Sequence, residues 1–70
     1  MKHKSRTEQT LEFLKSYILT YGYSPSLRDI AESLGTSTSV INYALMKLQM
    51  AGRIEKADGK ARSIRLVDEE

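Results

Sequence analysis

Apolar and polar positions divide the 70-residue chain into two regimes. As far as Met50 the apolar residues recur at spacings of three and four, which predicts amphipathic helices; from Arg53 onward they alternate, which predicts strands. Leu11, Leu14 and Ile18 make the first helical face. Ser5 with Glu8 three residues later opens that helix with a capping box, and Gly22 can end it. Phe13 and Tyr17 add a second apolar stripe, which predicts core packing for both rings.

Pro25 pushes Ser24 into an extended conformation, so Tyr21 to Ser26 reads as a connection. Ser26 and Asp29 then repeat the capping box with a shorter acid. Leu27, Ile30, Ala31 and Leu34 form the buried face of a short second helix, which Gly35 stops by supplying a left-handed residue. Four hydroxyl residues follow, Thr36 to Ser39, and Ser37 is the preferred cap of a third helix. Ile41, Ala44, Leu45 and Leu48 fall on one arc of about 100°, the core face of that helix. Opposite them lie Ser39, Asn42, Tyr43, Met46 and Met50. The third helix ends at Gly52, between Lys47 and Arg53.

Ile54, an Asp58-Gly59 turn signal, Ile64 and Leu66 predict a β-hairpin. A two-residue loop would pair Ile54 with Ser63 and set Ile54 and Ile64 on opposite faces. A three-residue loop, Asp58 to Lys60, pairs Ile54 with Ile64 on one face, as a single small core requires. The expected architecture is mainly α with a small β-hairpin. Residues 1–4 read as a basic tail, 5–67 as one folded domain, and 68–70 as an acidic tail or the start of a linker.

Size and inventory narrow the chemistry. A domain this short buries about 60% of the surface its unfolded chain exposes, too little for a deep enclosed site. The chain has no cysteine, and its one histidine, His3, lies among lysines near the start. Disulfides, thiolate zinc sites, cysteine nucleophiles and histidine-based catalysis are thereby excluded. No phosphate-binding loop, dinucleotide fingerprint or zinc-protease motif is present. No enzyme activity, metal, cofactor or small-molecule ligand is expected. With 40% hydrophobic and 29% charged residues the chain should fold. It lacks both a membrane-length apolar run and a signal peptide, so a cytoplasmic location without membrane contact is expected.

Charge adds a direction. The net charge is +2, but Asp68, Glu69 and Glu70 hold three of the nine acids, so residues 1–67 carry eleven basic against six acidic groups, a net of +5. A basic surface suits a polyanion, usually nucleic acid. The second helix, the tight turn and the third helix form a helix-turn-helix pattern, whose second member enters the DNA major groove. Ala31 is small where the third helix must approach, and Ile30, Leu34, Ile41 and Ala44 supply the seam.

With double-stranded DNA as partner, the base-contacting candidates are Ser37, Thr38, Ser39, Asn42, Tyr43 and Met46. Asn42 leads them, because an amide can bond an adenine edge in bidentate fashion. Tyr43 and Met46 suit thymine methyl groups. Ser26, Arg28, Lys47, Lys56, Lys60 and Arg62 are the candidates for phosphate contact. Two other readings stay open. The Tyr43, Met46 and Met50 stripe could pack on a protein partner, and a cationic hairpin edge can serve to prevent aggregation.

Three helices closed by a hairpin make a three-helix winged helix-turn-helix, and three segments carry a closer resemblance. Gly22-Tyr-Ser-Pro-Ser-Leu-Arg-Asp-Ile-Ala-Glu-Ser-Leu-Gly35, Ala51-Gly-Arg-Ile-Glu-Lys56 and Ala61-Arg-Ser-Ile-Arg-Leu-Val67 resemble the N-terminal DNA-binding domain of LexA, the bacterial SOS repressor. The resemblance runs from about Ser5 to Val67. It implies a transcriptional repressor module, its third helix in the major groove and its wing on the backbone. A monomer, or a weak homodimer on a two-half-site operator, is expected. The segment from Gly35 to Ile41 is one residue shorter than is usual in that family, so the familiar operator is not carried over. LexA proteins also have a C-terminal domain that dimerises and cleaves itself with a Ser-Lys pair. Seventy residues leave no room for it, so no self-cleavage is expected of them.

Overall fold

A computed structural model describes residues 4–56 and 64–67. Each helix in it starts where a serine stands ready to cap it. α1 runs Arg6–Tyr21, α2 Leu27–Leu34 and α3 Thr38–Met50. Ser5 Oγ accepts from the Glu8 N–H at 3.1 Å, and the Ser5 N–H donates to the Glu8 carboxylate at 3.2 Å. Ser26 and Asp29 repeat the exchange at 3.0 and 3.1 Å. Ser37 Oγ accepts from the Val40 N–H at 3.3 Å. Each cap contributes about 1 kcal/mol by satisfying a donor that has no partner within its helix.

α2 ends in a left-handed glycine. Gly35 has φ 68°, and beyond it the Thr36 N–H returns to the Ala31 carbonyl at 2.9 Å. This closure lets the chain reverse within three residues and begin α3.

α1 and α2 both pack on α3, and α3 also meets the hairpin. Leu14, Ile30, Ala31, Ile41, Leu45, Leu48, Ile54 and Ile64 form one buried cluster, and Ala44 is buried as well. Thr10, also buried, satisfies its hydroxyl by donating to the Arg6 carbonyl one turn back, at 2.8 Å. The core packing expected of both α1 aromatics holds in part. Phe13 lies half-buried against the cluster. Tyr17, also half-buried, instead joins a cluster of rings with the exposed Tyr21 and Tyr23, its centroid 5.7 Å from that of Phe13, 4.5 Å from Tyr21 and 5.9 Å from Tyr23.

The hairpin pairs β1 (Ile54–Lys56) antiparallel with β2 (Ile64–Leu66). Ile54 faces Leu66 and Lys56 faces Ile64. This register lies two residues from the expected Ile54–Ile64 pairing. The expected pairing would have set Leu66 opposite Gly52, whose φ of 75° keeps it out of a strand. A shift of two preserves the face, and Ile54 and Ile64 both reach the core as anticipated. The Asp58-Gly59 turn, Lys60 and Arg62 lie outside the described residues. The buried Ser24 ties the hairpin to the α1–α2 connection: its hydroxyl donates to the Pro25 carbonyl at 2.9 Å and accepts from the Ile64 N–H at 3.4 Å.

Candidate nucleic-acid interface

The seam between α2 and α3 decides what α3 shows to solvent. Ile30 and Ile41 are fully buried there, with the small Ala31 and Ala44 beside them. Because successive residues rotate by about 100° around a helix, burial of Ile41, Ala44, Leu45 and Leu48 turns the opposite side outward. Ser37, Thr38, Ser39, Asn42, Tyr43 and Met46 are all exposed. Ser39, Tyr43, Met46 and Met50 run along the middle of this outer face, Asn42 lies toward the hairpin side, and Ser37 and Thr38 form its N-terminal rim.

Two exposed α3 residues, Val40 and Gln49, were absent from the expected set. Both fall outside the buried arc on the helical projection, a signal already present in the spacing.

The candidate phosphate contacts are spread around this face. Arg28 is exposed in the first turn of α2. Ser26 is half-buried, with its oxygen engaged as the cap acceptor. The Lys47 ammonium lies 5.5 Å from the Tyr43 ring centroid, within cation–π range, so this cation is held on the α3 surface. Lys56 brings the hairpin to α3, its ammonium donating to Asn42 Oδ1 at 3.4 Å. On the other face of the hairpin Arg65 pairs with Glu55 across the strands. Lys60 and Arg62 fall outside the described residues.

Among the described residues no group of histidine, cysteine, aspartate or glutamate side chains could hold a metal ion. No helix among them is long and apolar enough to cross a membrane.

Three helices, the second and third joined by a tight glycine turn and closed by an antiparallel hairpin, define a winged helix-turn-helix. The family model described as the LexA DNA binding domain matches residues 2–63, and the chain belongs to that family. The LexA repressor of Geobacillus thermodenitrificans is 38% identical over 68 residues, which cover 96% of this chain and 33% of the repressor. That of Herpetosiphon aurantiacus is 36% identical over 66 residues, covering 93% and 31%. That of Bacillus velezensis is 37% identical over 70 residues, covering 99% and 34%. The chain thus spans about a third of the length of these relatives.

Proposed function

We propose that this chain binds double-stranded DNA with sequence preference and represses transcription, α3 lying in the major groove and the hairpin along the phosphate backbone. One observation carries the reading. In a member of the LexA DNA-binding family, an outward α3 face of hydroxyl, amide and apolar groups lies beside a hairpin cation. An α-helix is about 10–12 Å in diameter with its side chains, and the major groove, about 12 Å wide, admits one such as the 13-residue α3.

In this reading Ser37, Thr38 and Ser39 bond bases or nearby phosphates, Asn42 bonds a base edge, and Tyr43 and Met46 contact thymine methyl groups. Ser26, Arg28, Lys47 and Lys56, with Lys60 and Arg62, meet the backbone. Two copies would occupy half-sites about one helical turn apart as a weak dimer, and a cytoplasmic chromosome or plasmid would be the target. Neither cofactor nor metal takes part, and no catalytic step is assigned to these residues.

Selection of bound sites from a randomised duplex pool, followed by binding at several salt concentrations, tests the reading. The expected result is an enriched sequence whose affinity falls steeply with salt. No binding to duplex at low salt, or binding indifferent to salt, would refute it.

A second reading has one observation in its favour: Met50 is 79% exposed and continues the Tyr43 and Met46 stripe, as an interface with another protein would. Amide chemical shifts during titration with duplex DNA separate the two. Shifts along α3 and the hairpin favour DNA, and their absence favours a protein partner.

A further inference from the structure

Resting on the DNA-binding reading, we propose that Lys56 is a specificity-determining positioning residue, which sets the orientation of the Asn42 amide from the hairpin side. Strand alternation supplies the first observation. Ile54 is buried, Glu55 exposed and Lys56 half-buried, so Lys56 shares the inner face of β1 with Ile54 and returns toward α3. Glu55 and Arg65 occupy the outer face and pair with each other. Lys56 is therefore a described hairpin cation that reaches the recognition surface.

The second observation is the contact itself. The Lys56 ammonium lies 3.4 Å from Asn42 Oδ1, joining residues 14 positions apart. An ammonium can only donate, so the amide group facing it must be the oxygen. The NH2 group then turns away from the hairpin with both donors unspent on Lys56. A bidentate bond to adenine needs the amide oxygen to accept from N6 and the NH2 to donate to N7, whereas guanine O6 and N7 ask only for donors. With one lone pair held by Lys56, the plane and polarity of the amide are set before DNA arrives. The base preferred at the Asn42 position thus depends on a residue of the hairpin.

This role differs from phosphate contact in what a substitution does. A lost phosphate contact weakens binding to all sequences alike and lowers the salt slope by about one. Loss of a positioning contact acts at one base pair and only while Asn42 is present.

The test uses Lys56→Met, which keeps an unbranched apolar stem and removes the ammonium, together with Asn42→Ala and the double variant. Affinities are measured on the selected duplex and on duplexes changed at each base pair. Lys56→Met is expected to reduce discrimination about fivefold or more at the same pair that Asn42→Ala affects, with the double variant no worse there than Asn42→Ala alone. Additive effects, or a uniform loss across sequences with no loss of discrimination at the Asn42 pair, would overturn the positioning role and leave Lys56 a phosphate contact only, with DNA binding intact. Failure of the unmodified protein to bind any duplex at low salt would overturn both.

A measurement without DNA runs in parallel. The Asn42 side-chain NH2 resonances should shift in Lys56→Met and stay in place in Glu55→Gln, at matched thermal midpoints. Unmoved resonances in Lys56→Met would also refute the role.

Discussion

Ile41 and Asn42 are chain neighbours with opposite surroundings, and substituting each by alanine should separate stability from recognition. Ile41 is fully buried in the seam that sets α3 against the rest of the domain. Ile41→Ala removes three carbons, about 2.4 kcal/mol of transfer energy at roughly 0.8 kcal/mol each, and leaves a cavity that carries the loss toward the range of about 2–5 kcal/mol. The better helix propensity of alanine returns only a few tenths of a kcal/mol. A loss near 3 kcal/mol is a large part of the roughly 3.5–10 kcal/mol expected for a domain of this length, and corresponds to a drop of about 12–24 °C in thermal midpoint. Asn42 is exposed, so Asn42→Ala should change stability by about 0.5 kcal/mol or less. It should instead reduce preference at one base pair by about 1–3 kcal/mol. Far-UV circular dichroism during heating reads the first quantity, and fluorescence anisotropy on matched and single-mismatch duplexes, at a temperature where both variants are folded, reads the second. An Ile41→Ala midpoint within about 2 °C of the parent, or an Asn42→Ala midpoint that falls as far as that of Ile41→Ala, would refute the assignment of the two α3 faces.

Gly35→Ala meets no atom within 4 Å but must hold φ near 68°, so it should lose roughly 1–2 kcal/mol in denaturant unfolding; an unchanged midpoint would remove the left-handed turn as a requirement. Ser26→Ala removes the α2 cap and should lower the urea midpoint by the equivalent of about 0.5–2 kcal/mol with the slope unchanged, and no change would show the α2 start to be held by other contacts. If about five phosphates are neutralised, log affinity should fall with log salt at a slope near −4 to −5. Replacing Lys60 and Arg62 together should make that slope shallower by about two and weaken binding equally on every sequence; an unaltered slope would take the hairpin out of the interface.

All three serine caps, the stops at Gly22 and Gly35 and the inward side of α3 were legible in the sequence, because each rests on residues within two helical turns of one another. A capping box is a local exchange of two hydrogen bonds, and a helical face follows from the rotation per residue, so neither depends on the distant chain. The same geometry explains why the outward set Ser39, Asn42, Tyr43 and Met46 could be named from spacing, and why Val40 and Gln49 could have been added to it.

Contacts between distant parts of the chain were beyond that reach. Two hairpin registers differing by two residues bury the same face, so alternation cannot choose between them; the left-handed Gly52 and the Ile54–Leu66 pairing do. Tyr17 lies on a stripe that reads as core, yet its ring packs with Tyr21 and Tyr23, the latter six positions away beyond the end of α1. The Ser24 link to Ile64 spans 40 positions and the Lys56 link to Asn42 spans 14. Pattern along the chain shows which face a residue occupies, but the partner across a gap depends on how separate elements dock, and docking is decided by packing the whole core at once.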